Sequence, residues 1–190
     1  MQADNDEADD GDYLSAYLQM DIDDVVAKHV WSVEHVVPRS HINGRQPGLA
    51  EDDPNGWIVA TRRSNSRRGN LPLVLWMTDP LIPNSIALIS GEAHFVPPVE
   101  QRAELARKWL FLRATYEGIQ QPSRAQRLHA MDIIELARHA PVQPAHWKVN
   151  AIYRRTYGWA NPLLEEGAGR FYSSQEWRRS VFKSVSFKLH

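Results

Sequence analysis

Residues 29–37 read HVWSVEHVV and are followed directly by Pro38. β-Branched and aromatic residues dominate this stretch, which predicts a β-strand that ends at the proline. Glu34 and His35 are therefore neighbours near the carboxyl end of the strand. An imidazole titrates near neutral pH and can take a proton from water, and a carboxylate can hold a hard cation. The pair suits a hydrolytic site, but adjacent Glu and His residues are too common to indicate one alone.

The segment that follows predicts a long loop, a second apolar segment and a short helix. Residues 39–56 are rich in Pro, Gly, Asn and Asp, which favour turns. The short apolar stretch Trp57–Ala60 comes next. Residues 61–70, TRRSNSRRGN, are polar and strongly basic and predict a short helix followed by a turn.

Polar side chains in this segment suit a metal ion and a phosphate. Asn65 offers an uncharged carbonyl oxygen, and Mg²⁺ often takes only one or two protein groups besides water and substrate phosphate. Three arginines nearby could bind phosphate oxygens through bidentate contacts, namely Arg63, Arg67 and Arg68. For Asn55 and Asn70, turn formation and helix capping explain the residue type equally well.

The rest of the chain predicts a single α+β domain. Helical spacing of apolar residues predicts amphipathic helices over 100–117, 124–139 and 145–157. The apolar face of the first consists of Leu105, Trp109, Leu112 and Tyr116, and that of the second of Leu128, Met131, Ile134 and Leu136. Short strands such as Ser85–Ile89 are expected before the first of these helices.

The ends of the chain differ in charge from its body. Residues 1–12 are expected to form an acidic, disordered leader, and residues 13–190 a single domain with a basic C-terminal tail. Residues 1–24 hold nine acidic side chains and no Lys or Arg, which leaves 22 basic against 14 acidic side chains in 25–190. This balance of +8 suits a polyanionic substrate. The leader could cover a basic groove and weaken binding, although a solubilising tail is the simpler explanation.

Composition excludes several classes of protein. The chain has no cysteine, which excludes disulfides, thiolate catalysis and Cys-based zinc sites. No apolar run approaches the roughly 18 residues of a membrane span, so no membrane partner is expected. The first residues are acidic and do not form a secretory signal. Together with the lack of cysteine, this favours an intracellular location.

Three blocks of the sequence resemble the endonuclease I family of metal-dependent nucleases. Glu34-His35-Val36-Val37-Pro38 matches the family's E-H-V-x-P segment. The block from Asp52-x-x-Asn55 through Asn65-x-x-Arg68-Gly69-Asn70 is similar to its D-L-H-N-L and V-N-x-x-R-x-N block. Ala106-Arg107 to Tyr116, and Trp147 to Asn161-Pro162, are similar to its A-R-A helix and terminal Q-G-N-R-N-P-F segment. The disulfides and signal peptide of bacterial members are not seen in this sequence.

The resemblance implies a ββα-metal (His-Me finger) core with several amphipathic helices packed around it. In that core His35 would be the general base, and Glu34 and Asn65 would hold Mg²⁺, with Mn²⁺ or Ca²⁺ as the other candidate ions and no organic cofactor. Arg45 would steady the scissile phosphate. Further substrate-binding candidates are Arg39, Arg63, Arg67, Arg68 and Asn70. The implied activity is largely sequence-nonspecific cleavage of DNA, with RNA as a further candidate substrate.

Two other functions remain open at this point. The chain could be a catalytically inactive nuclease-fold protein that binds nucleic acid or is a structural subunit of a larger assembly. It could also be a sequence-specific HNH-type nicking enzyme, which would need a DNA-reading module for which 190 residues leave little room. His29 and His41 flank the Glu-His pair, but packing or surface roles are favoured over a second metal site. Trp57 and Trp159 are the two candidates for stacking on bases.

Overall fold

The computed structural model of the chain describes residues 31–42, 50–76, 81–142, 144–158 and 160–164. Several sequence-based expectations lie outside these residues. They concern the acidic leader, the basic tail after Arg170, His29, Arg45 and Trp159.

Two antiparallel strands and a short helix form one end of the fold. Strand β1 (Trp31–His35) pairs with β2 (Trp57–Thr61), so that Glu34 lies opposite Ile58 and His35 opposite Trp57. Helix α1 (Arg62–Arg68) begins directly after β2 and contacts both strands. Its first turn is capped by the Thr61 hydroxyl, which accepts the N–H of Ser64 at 3.1 Å. The predicted strand around Glu34 and the predicted short helix are confirmed.

The loop between β1 and β2 is anchored to distant parts of the chain. Within its 3₁₀ turn Pro54–Gly56, Asn55 is buried, and its N–H donates to the Asp53 carboxylate at 2.8 Å. The Asn55 side-chain oxygen accepts the N–H of Asn161 at 3.1 Å. A Cβ at Gly56 would approach the Leu112 side chain to 3.0 Å, so the turn packs tightly against the helix that carries Leu112. Asn55 therefore has a structural role, because its side chain joins this turn to Asn161.

A second two-stranded sheet is formed by β3 (Ser85–Ile89) and β4 (Glu92–Val96), which pair antiparallel. The two residues between them, Ser90 and Gly91, have φ of 52° and 82°. Positive φ at both positions is typical of the hairpin turn that matches the twist of the strands. The predicted strand at Ser85–Ile89 is confirmed.

Helix α2 (Arg102–Thr115) lies at the centre of the fold and is buried on all sides. Its predicted apolar residues Leu105, Trp109 and Leu112 are buried, but most of its charged side chains are buried as well, so the prediction that this helix is amphipathic is wrong. Its charged side chains find partners inside the protein instead of water. Arg102 donates to the carbonyl of Trp76 at 2.8 Å, and Arg107 to that of Ala137 at 2.8 Å.

The single helix predicted over 124–139 is two helices, α3 (Arg124–Leu128) and α4 (Ala130–His139). They meet at His129, whose φ of −98° and ψ of 19° depart from helical values and whose ring stacks on Trp76 at 4.4 Å. The break shifts the apolar face. Leu128 and Met131 are 68% and 54% exposed, and the buried residues include Ala125, Ile133, Ile134 and Ala137. The prediction of the apolar face is therefore wrong for Leu128 and Met131 and confirmed for Ile134.

Helix α5 (Pro144–Tyr157) confirms the third predicted helix, and the 3₁₀ turn Pro162–Leu164 follows with Leu163 and Leu164 buried. Small antiparallel sheets and several helices make the fold class α+β, as predicted. None of the helices in the described ranges is both long and apolar enough to cross a membrane.

Candidate active site

A groove at the carboxyl end of β1 brings together most of the residues singled out in the sequence. This His35 groove is lined by Val33, Glu34, His35, Pro38, Arg39, Asn65, Ser66, Arg68, Gly69 and Asn70. Arg63 and Arg67 are exposed on α1 and do not line it. Arg45 lies outside the described residues. Residues separated by about one sixth of the chain thus meet at one place, because α1 packs against the strand pair β1 and β2.

The imidazole of His35 is half-buried and held on two sides. It forms a hydrogen bond with the backbone of Glu51 and an edge-on contact with Trp57, the residue opposite it in the strand pair, at 5.9 Å between ring centroids. The Glu51 carbonyl also accepts the indole N–H of Trp57 at 2.9 Å. With one ring nitrogen engaged as a donor to this carbonyl, the other is left as an acceptor.

The electrostatic surroundings of His35 favour its neutral form. Burial lowers the pKa of His35 from its ordinary value of 6.5, and the nearby charge of Arg39 acts in the same direction. The Glu51 hydrogen bond and the carboxylates of Glu51 and Asp52 oppose this lowering of the pKa without cancelling it. A neutral imidazole at pH 7 is the form that can accept a proton.

NMR titration of the metal-free protein should show His35 protonating below pH 6.5, because burial disfavours its charged form. At pH values between the lowered pKa of His35 in the folded protein and its ordinary value of 6.5, the unfolded chain then binds more protons than the folded one. Stability should accordingly fall as the pH drops through this window, and this fall should be smaller in His35→Gln. The resonance that disappears in His35→Gln assigns the titration. A midpoint above 6.5 would contradict the burial of the ring.

Glu34 lies on the opposite face of β1, beneath α1, because successive strand residues alternate in direction. Its side chain is buried, and Oε1 pairs with the guanidinium of Arg68. The other oxygen, Oε2, is also buried and has no hydrogen-bond partner among the described residues. A buried carboxylate oxygen without a donor is costly, which makes it a candidate cation ligand.

Asn65 is oriented by its amide nitrogen. Nδ2 donates to the Ser32 hydroxyl and to the Val33 carbonyl, both at 2.9 Å. Neither bond uses the carbonyl oxygen Oδ1, which is the atom that would ligate a cation. Within the described ranges, no three His, Asp or Glu side chains converge as a metal site. A cation held by Glu34 and Asn65 would therefore have two protein ligands, which suits Mg²⁺.

No family model matches this sequence. A search of curated proteins finds no match either.

Arg68, predicted to bind substrate, is 3% exposed and turned toward the protein interior. Its Nε donates to the Leu71 carbonyl and Nη2 to the Val36 carbonyl, each at 2.9 Å. Nη1 donates to Glu34 and to the His35 carbonyl. Burial lowers the pKa of Arg68 to about 9. These bonds hold the strand end that carries His35, and a contact of Arg68 with substrate stays a prediction.

The sequence did not point to two of the supporting groups. The Glu51 carbonyl orients both His35 and Trp57, and Ser32 orients Asn65. A backbone carbonyl leaves no mark in the sequence, since any residue supplies one. Trp57, a candidate for base stacking, packs against His35, and its contact with a base stays a prediction.

Proposed function

We propose that the chain is a metal-dependent endonuclease that hydrolyses phosphodiester bonds in DNA, with RNA as a further candidate substrate. One observation carries the proposal: Glu34, His35 and Asn65 line the same groove, at a strand pair followed directly by a helix. This order of elements is the one expected of a ββα-metal core. The burial of Glu34 supports a role for its carboxylate other than surface solvation.

The chain's own residues have separate roles in this proposal. His35 is neutral, is oriented through Glu51, and accepts a proton from the water that attacks phosphorus. Glu34 Oε2 and Asn65 Oδ1 would hold Mg²⁺, or Mn²⁺ or Ca²⁺ in its place. When bound, the cation would stabilise the negative charge that develops on the phosphate and the leaving oxygen. No organic cofactor is needed.

Arginines on the rim would bind the phosphates of the substrate. The Arg39 side chain is 68% exposed at the groove, where it pairs with Glu51. Arg63 and Arg67 are exposed on α1, and Asn70 is exposed at the turn after it. Phosphate contacts carry no sequence information, so cleavage would be largely nonspecific.

An inactive nucleic-acid-binding or structural protein is the alternative, and one observation favours it. The guanidinium of Arg68 already neutralises Glu34, the proposed cation ligand. If Arg68 satisfies this carboxylate permanently, the groove keeps its basic rim and its affinity for phosphates without binding a cation. Cleavage and binding assays separate the two functions.

Cleavage of supercoiled plasmid should require a divalent cation. We expect nicked and linear products with Mg²⁺ and intact plasmid with EDTA, since Glu34 and Asn65 have no role in hydrolysis without a cation. Electrophoretic mobility in EDTA reports binding on the same samples. A retarded but intact plasmid across Mg²⁺, Mn²⁺ and Ca²⁺ would favour the inactive binding protein and contradict the proposed activity.

A further inference from the structure

A second cleft lies on the other side of the segment that follows His35. We call it the Arg113 cleft; its walls include Val36, Val37, His41, Trp109 and Arg113. It encloses about 950 Å³, open solvent at its mouth included. Pro38 lines both this cleft and the His35 groove, so the two are neighbours.

Arg113 is a buried cation with no carboxylate paired to it among the described residues. The residue is 9% exposed, and its guanidinium lies 4.5 Å from the ring centroid of Trp109. Nη2 donates to the Gln120 carbonyl at 2.6 Å, whereas Nε has no hydrogen-bond partner among the described residues. No carboxylate in the described part of the chain forms an ion pair with it. Buried charges in proteins are usually paired, because an isolated charge is costly to remove from water.

His41 adds a second side chain to the cleft that can donate a hydrogen bond to an anion. Its backbone carbonyl accepts the N–H of Gln120 at 2.7 Å, which holds His41 next to the segment that Arg113 also binds. Burial lowers the pKa of His41, and the charge of Arg113 lowers it further. The acid that lines the cleft, Glu92, is exposed and accepts the backbone N–H of Arg124 at 3.0 Å. Arg127 also lines it, with Nη1 donating to the Pro122 carbonyl at 2.6 Å.

We propose that the Arg113 cleft binds a phosphate group, which supplies the missing counter-charge of Arg113 and accepts a hydrogen bond from His41. Guanidinium groups bind phosphate oxygens strongly through charge-assisted hydrogen bonds. The apolar side chains of Val36, Val37 and Trp109 offer a surface for whatever the phosphate carries. The phosphate can belong to a nucleic-acid strand that continues from the His35 groove, or to free phosphate or a phosphate monoester.

Binding is tested in EDTA, where no cleavage is expected. The protein is labelled with ¹⁵N in its arginine side chains and titrated with inorganic phosphate at constant ionic strength. The Nε–H signal of Arg113, assigned by its loss in Arg113→Lys, should shift and saturate. His41→Ala should weaken phosphate binding by about tenfold, as expected for the loss of one hydrogen bond to a charged group. Arg138→Gln, an exposed change on α4, should leave the affinity unchanged.

A single-stranded oligonucleotide identifies the source of the phosphate. If inorganic phosphate competes with it and His41→Ala weakens its binding, the cleft takes a phosphodiester of the strand. If the oligonucleotide binds equally well to both proteins while inorganic phosphate still binds the cleft, the occupant is a free phosphate or monoester. An Arg113 signal that phosphate does not shift would overturn the proposal. Lack of plasmid cleavage with Mg²⁺ would instead contradict only the proposed nuclease activity.

Discussion

Replacement of His35 by alanine is expected to lower the rate of plasmid cleavage in Mg²⁺ by about 10²–10⁴-fold, the usual contribution of a general base. The imidazole is neutral near pH 7 because burial lowers its pKa, and the Glu51 hydrogen bond holds its orientation. Alanine can neither accept the proton nor contact the Glu51 carbonyl. Initial rates of plasmid nicking at equal protein concentration measure the effect.

Because His35 is only half-buried, a loss of activity in His35→Ala can be distinguished from a loss of folding. Loss of its contact with Trp57 should cost little stability compared with a core substitution, so circular dichroism should show a folded variant. His139→Ala is a matched control, because that histidine is exposed at the end of α4 and remote in sequence from the groove. A folded His35→Ala protein that cuts at nearly the wild-type rate would exclude His35 as the base.

Replacement of Arg68 by methionine should lower the free energy of unfolding by about 3–5 kcal/mol, the typical cost of removing one partner of a buried ion pair. The change leaves the buried Glu34 carboxylate without its cation and removes donors from the carbonyls of His35, Val36 and Leu71. Urea unfolding followed by tryptophan fluorescence measures the difference.

Two further variants make the Arg68 prediction specific. Arg67→Met, one position earlier on α1 and exposed, should change stability by less than about 0.5 kcal/mol. The double variant Glu34→Leu and Arg68→Met should be more stable than Arg68→Met alone, since no unpaired charge is then buried. If Arg68→Met were as stable as Arg67→Met, the inward guanidinium would not support the strand end.

The His35→Ala and Arg68→Met variants together test how the site and the fold are coupled. Arg68 neutralises Glu34 and also donates to the carbonyls of His35 and Val36 at the end of β1. A cation at Glu34 would share this carboxylate with Arg68. Calorimetric titration of Mg²⁺ into the wild-type protein therefore reports whether Arg68 leaves Glu34 able to bind a cation.

Much of the local structure near the site was predictable from short sequence patterns. The β-branched residues before Pro38 predicted β1, and the polar stretch with Asn65 predicted α1. Glu34, His35 and Asn65 were singled out from their chemistry, and the fold places them in one groove. These features depend on neighbouring residues along the chain, so the sequence contains them directly.

The inward direction of Arg68 and the support that Glu51 gives to His35 could not be predicted. Arg68, Arg63 and Arg67 are chemically alike and close in sequence, yet only Arg68 faces the strand pair, because α1 turns that side inward. Glu51 acts through its carbonyl, and any residue at that position could do so.

Local sequence patterns specify where β1, α1, β3 and α2 form, since strand and helix formation follow local propensity and periodicity. Packing between distant segments decides that α2 is buried on every side, that the helix over 124–139 breaks at His129, and that no carboxylate among the described residues pairs with Arg113 in its cleft. Periodicity reports which residue types alternate along an element. Burial and pairing depend on what packs around that element, and those partners come from distant parts of the chain.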